Sequence, residues 1–291
     1  MKDYLVILAG SPRGGEATWR SLYKYVIDYL DADLALCCSD KWDRNNSLFK
    51  KANYVWTFEE MDNYSKYYKK HFNGSWKEYF DLSKDADGKE TGLYSSGFVH
   101  FVFKDIVKKQ YLDILKQYKN IIYTRFDQFH TEYHPKIKED KIYIPEGEDY
   151  FGICDRHAGF PSKYSEKFLG ICEYVNHKDA LLTKRDHINC ETTFEDHLIH
   201  EGIAKKVKRF KRTQFTASLE NEHTNWRVAK YRVYFKRKLM MKYPGEFMRS
   251  LSNGIKKHGL AKTFFREKAL TINYLYLLLR INLGKIKKFN L

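Results

Sequence analysis

An unbroken apolar run, Tyr4–Ala9, leads into the loop Gly10-Ser11-Pro12-Arg13-Gly14-Gly15. Residues 16–30 follow, with Trp19, Leu22, Tyr23, Val26, Ile27 and Leu30 at helical spacing, and residues 32–38 form a second apolar run. Apolar runs without alternation belong to strands buried on both faces, as in parallel sheets covered by helices. Strand, glycine loop, helix, strand is a βαβ opening, and it restricts the chain to the α/β class with a Rossmann-type, mostly parallel sheet flanked by helices. Backbone amides at Gly10, Gly14 and Gly15, with Ser11 in the same loop, can hold a phosphate at a helix N-terminus, and Arg13 can add a forked charge. The competing reading is a plain tight turn.

A second stretch, residues 119–130, repeats the arrangement. Helical spacing over 97–118 feeds the short apolar run Asn120–Thr124, which ends abruptly in Arg125, Phe126 and Asp127. A charged pair at a strand's carboxyl end lies where open α/β sheets collect ligands. The competing reading is an Arg–Asp surface pair.

Further along, Ile142–Pro145 reads as a strand, and residues 150–154 read as another that delivers Asp155, Arg156 and His157 to its carboxyl end. Residues 162–176 read as a helix whose Phe168, Leu169 and Tyr174 belong to the core. Residues 187–202 read as a helix opening on the acids Glu191, Glu195 and Asp196, which in a first turn ordinarily serve the helix dipole. Residues 203–217 read as a last strand. The polar stretch 40–96, helical around 59–72 and turn-rich over 84–92, can cover a site or decorate the surface, and reads as decoration.

Charge divides the chain. Of its 291 residues, those from Ala204 onward hold 23 Lys and Arg against 4 acids, whereas the preceding 203 hold 29 against 33. The basic character belongs to the C-terminal part, which from Trp226 reads as helical, with 274–279 its most apolar run. That run is too short to span a bilayer, which takes about 20 apolar residues. A peripheral helix on an anionic membrane surface suits it better than nucleic acid, for which no recognition motif is present. Five cysteines, two of them adjacent, give no disulfide framework and no metal-binding spacing, so a reducing, cytoplasmic setting is expected. No secretory leader is read at the start, and the sequons at Asn45 and Asn73 are taken as chance matches.

The segments GSPRGGEATWRSL, IIYTRFDQF, IYIPEGEDYFGICDRH and CETTFEDHLIHEGI, in this order, resemble a family of nucleotide-sugar-dependent glycosyltransferases of the GT-A type found in capsule and viral glycan loci. The resemblance covers roughly residues 4–217. It implies a GT-A-like catalytic domain over 1–225 and a basic helical appendage over 226–291. It further implies a UDP- or GDP-sugar donor and a glycan or glycoprotein hydroxyl as acceptor. By it, Gly10, Ser11, Arg13 and Gly14 attend the nucleotide diphosphate together with Arg125 and Asp127. Asp127 takes the place of the second acid of the usual DxD and meets Mn2+ or Mg2+, with His223 as a late metal ligand. Arg125 replaces the first acid, and a guanidinium there can neutralise part of the diphosphate's charge instead of a metal. The candidate bases are Asp155, Glu191 and Asp196. Two rivals stand beside this reading. SPRGGEATW resembles the SPRSGTTW loop of sulfotransferases, though Glu16 sets a negative charge where the phosphate would lie. The non-enzymatic rival is a basic nucleic-acid-binding protein.

Overall fold

β1 (Tyr4–Ala9) is buried at every position and lies inside a seven-stranded sheet. The computed structural model describes residues 2–61, 63–83, 97–138, 140–224, 230–233, 236 and 238–283. The glycine loop passes into α1 (Gly15–Leu22), which continues through a π-helical stretch, Tyr23–Ile27, into α2 (Asp28–Leu30). β2 (Ala32–Ser39) then pairs with β1 in parallel, completing the βαβ unit.

The expected surface decoration over 40–96 is structural instead. α3 (Ser47–Lys51) leads to β3 (Tyr54–Phe58), a parallel edge strand, and α4 (Ser65–His71) and α5 (Trp76–Asp81) follow. Trp56, Tyr68, Trp76 and Phe80 are buried against the long helix α6 (Phe98–Lys116), and Tyr79 packs on Tyr174 and bonds to Thr193. Aromatic side chains this large bury enough area to fix an otherwise polar segment to the core. The turn-rich stretch 84–92 lies outside the described residues.

β4 (Asn120–Thr124) pairs in parallel with β1, and the chain then leaves the large sheet for β5 (Gln128–His130). β6 (Ile142–Pro145) and β7 (His157–Pro161) follow, then α7 (Ser165–Leu169), α8 (Ile171–Asn176) and α9 (Cys190–His200). Phe168, Leu169 and Tyr174 are in the core as expected.

The single strand expected over 203–217 is two strands in two sheets. β8 (Val207–Phe210) pairs with β6, and β9 (Gln214–Leu219) pairs with β5. Between them the buried Arg212 donates to the carbonyls of Glu146 and Gly147, which turns the chain from one sheet to the other. The large sheet has the order β3-β2-β1-β4-β7-β6-β8, with β7 antiparallel to its neighbours.

β10 (Tyr231–Arg232), β11 (Leu239–Met241), β9 and β5 form the smaller antiparallel sheet. α10 (Pro244–His258), α11 (Leu260–Arg266) and α12 (Lys268–Asn282) close the chain. The expected appendage from residue 226 is therefore corrected: this segment supplies strands and core. Phe247, Met248, Leu251, Leu270 and Leu277 share one buried cluster with Phe129, Phe215 and Ala217. Glu246 is buried against Arg156 and Arg212. No helix among the described residues is long and apolar enough to cross a membrane.

Candidate functional site

Strand register brings the sequence-separated motifs to one edge. Leu8 of β1 stands beside Thr124 of β4, and Thr124 beside His157 of β7. The loop after β1, the Arg125–Asp127 turn after β4 and the Asp155–Arg156 pair before β7 thus leave the sheet at the same level. No strand forms over 150–154. Glu148, Tyr150 and Phe151 all take positive φ, a strained turn for residues with side chains. Asp155 reaches the edge because β7 runs antiparallel, so its amino end meets the carboxyl end of β4.

In the glycine loop, Gly10, Gly14 and Gly15 take positive φ as a tight turn requires. The amides are already engaged at two of them. Gly10 donates to the Cys37 carbonyl at 3.0 Å, and Gly14 donates to Glu222, both of whose carboxylate oxygens lie at 3.0 Å. Glu222 also accepts from the Leu219 amide at 2.8 Å. A carboxylate thus sits on the N-terminus of α1, where the dipole favours negative charge. Glu16 points elsewhere: it accepts from the Ser47 amide at the start of α3 and leaves the loop clear. Ser11 is half-buried in the same loop.

Arg125 clamps Asp127 with two parallel bonds, Nε to Oδ1 at 2.9 Å and an Nη to Oδ2 at 2.5 Å. Burial opposes ionisation of Asp127, but Arg125, Arg13 and Lys242 outweigh it and hold the carboxyl below its ordinary range. Burial in turn lowers Arg13, whose Nε has no partner, while Asp127 and Glu222 act to keep it charged.

Asp155 is buried with Oδ2 unpartnered. Burial works against its charge, and Lys104, Arg156 and Arg125 prevail in keeping it ionised. Lys104 and His100 are one turn apart on α6. Lys104 is buried and lies 5.4 Å over the rings of both Tyr123 and Phe194, and burial drives His100 down to about 3.

Glu191 stands in the first turn of α9, brought close by Gly152, where a Cβ would meet the Glu191 backbone at 2.3 Å. The Ile153 amide donates to the Glu191 carbonyl at 3.1 Å. Burial, then the charge of Asp155, pushes the Glu191 carboxyl up to about 8, against the pull of Arg156 and Lys242.

The site residues expected from sequence divide accordingly. Arg13, Arg125, Asp127, Asp155 and Glu191 share one electrostatic neighbourhood with Lys242. Asp196 is held apart from them, bonded to Arg185 at 2.7 Å and to Thr183 at 3.0 Å. His223 is exposed, and Asp127 gives both oxygens to Arg125. Among the described residues, the one group of three side chains spaced to hold a metal ion is His177, Asp179 and His200, away from this edge. At the edge, the Asp127 oxygens expected to meet Mn2+ or Mg2+ are the ones that Arg125 holds. Sequence reasoning missed His100, Lys104, Glu222 and Lys242. The first two carried a signal: they are polar positions one turn apart in an otherwise apolar helical pattern.

Neither the models of known protein families nor the curated proteins include a match to this chain.

Proposed function

We propose that this chain is a glycosyltransferase that moves a sugar from a UDP- or GDP-sugar to a hydroxyl of a glycan or glycoprotein. The observation that carries the reading is the common level of the β1, β4 and β7 ends, which places guanidinium groups and a carboxyl poised near neutrality on one edge. Arg13 and Arg125 receive the diphosphate, forked donors suited to phosphate oxygens, and carry the charge that a metal supplies in related chemistry. Glu191 takes the proton of the acceptor hydroxyl as its oxygen bonds to the sugar's anomeric carbon. The bond from that carbon to the diphosphate breaks, and the nucleoside diphosphate leaves with the electron pair. Asp155 sustains the raised basicity of Glu191, which matches a general base working near neutral pH.

Calorimetry against UDP- and GDP-sugars tests this reading, in EDTA and in Mn2+, with an adenosine phosphosulfate donor in the same panel. Saturable sugar-nucleotide binding in EDTA is expected. Glu191→Gln should keep that binding and lose transfer, and the wild-type rate should climb with pH toward about 8 as Glu191 loses its proton. Binding of the phosphosulfate donor alone would transfer the site to the sulfotransferase reading, with Glu16 turned to the Ser47 amide.

A further inference from the structure

α12 packs one face on the protein and turns leucines outward on the other. Leu270, Asn273 and Leu277 are buried against the protein, while Leu275 and Leu279 are 41% and 57% exposed, and Leu283 continues their line past the helix end at 59%. A surface helix normally turns its apolar stripe inward and a polar face to water. On the neighbouring α11, Leu260 is 45% and Phe265 85% exposed. Five of the thirteen exposed large hydrophobic side chains among the described residues thus lie within 24 positions, on two helices that touch, a concentration rather than scatter.

The charge around the patch has one sign. Between residues 247 and 283 there are seven Lys and Arg and a single acid, Glu267. Glu267 faces the protein, accepting from Tyr25 at 2.8 Å and lying 3.5 Å from Lys24. Lys256, Lys257, Lys262 and Lys268 are exposed. A second copy of this chain would bring like charges together, and nucleic acid would leave the leucines and Phe265 in contact with water. A surface that is anionic at the top and hydrocarbon below satisfies both sets of groups.

We infer that the outward face of α11 and α12 docks on an anionic lipid bilayer, with Phe265 and the Leu275–Leu279–Leu283 line entering the interface and the lysines meeting lipid headgroups. The surface is independent of the transferase chemistry, and it would bring the protein to acceptors held at a membrane. Each lysine near such a surface adds about fivefold to affinity, and burying the exposed half of a leucine adds at least about threefold.

Co-sedimentation of the full chain with phosphatidylcholine vesicles, with and without phosphatidylserine, tests the inference. Binding is expected only with phosphatidylserine, falling as salt rises. Leu275→Ser with Leu279→Ser should weaken it at least tenfold. Lys262→Ala with Lys268→Ala should weaken it about 25-fold while leaving the melting temperature and sugar-nucleotide binding unchanged. Equal affinity for neutral vesicles, unaltered binding by both double variants, or a dimer that the leucine variant dissolves would each overturn it.

Discussion

Glu246 joins the C-terminal helices to the candidate site, and its removal has a calculable cost. Its side chain is fully buried, with Oε1 3.1 Å from Arg156 and 3.4 Å from Arg212, and Oε2 2.7 Å from the Thr216 amide. Both guanidinium groups are buried as well, so Glu246→Ala strands two charges and an amide. Breaking a buried ion pair from one side costs about 3–5 kcal/mol. Arg212 keeps two carbonyl acceptors and Arg156 keeps Glu148 at 3.7 Å, which places the net loss at about 4 kcal/mol within that range. Against a total stability of about 5–15 kcal/mol, this is a large fraction. Glu246→Gln retains an acceptor for Thr216 and should lose about half as much. Burial opposes the Glu246 carboxylate, but Arg156, Arg212 and the Thr216 hydrogen bonds hold its carboxyl below the ordinary value. Its contribution is therefore complete above the unfolded value of 4.5 and fades as pH falls from there through the folded value. Urea unfolding followed by circular dichroism at pH 7 and pH 4 measures both effects. A loss below about 1 kcal/mol at pH 7 would refute the argument that this carboxylate neutralises the buried arginines.

Two more outcomes follow. His130, His134 and His157 are buried, and desolvation lowers them to about 3, to about 4 and well below the usual value, respectively. The unfolded chain therefore binds their protons first, so stability is full above about pH 6.5 and lost as pH falls below it. At pH 5 the loss is about 2 kcal/mol per imidazole, and an unfolding midpoint unchanged between pH 7 and pH 5 would contradict it. Glu222→Ala frees the Gly14 amide at the start of α1 and should tighten binding of inorganic phosphate about tenfold by titration calorimetry, in line with the charge preference of a helix N-terminus; weaker binding would mean that Glu222 holds the loop open for its ligand.

The chain's periodicity was sufficient to recover β1, β2, β4, β6 and the long helix α6, because continuous apolar runs and helical spacing are local consequences of burial. The charged strand end at Arg125 and Asp127 was legible for the same reason. Asp155 was assigned to the correct edge through a strand that does not exist, since local sequence carries no information on whether a neighbouring strand runs parallel or antiparallel. That direction, together with the close approach allowed by Gly152, is what sets Glu191 beside Asp155 and raises its carboxyl. Composition suggested a separable basic tail, yet the buried partners of Glu246 lie on β9 and in the turns before β7 and β9, at sequence separations no pattern window spans. Sequence by itself determined which segments are buried and which face water. Only the tertiary structure decided which charges meet, because pairing depends on strand order and register, and those are settled by the packing of the whole chain.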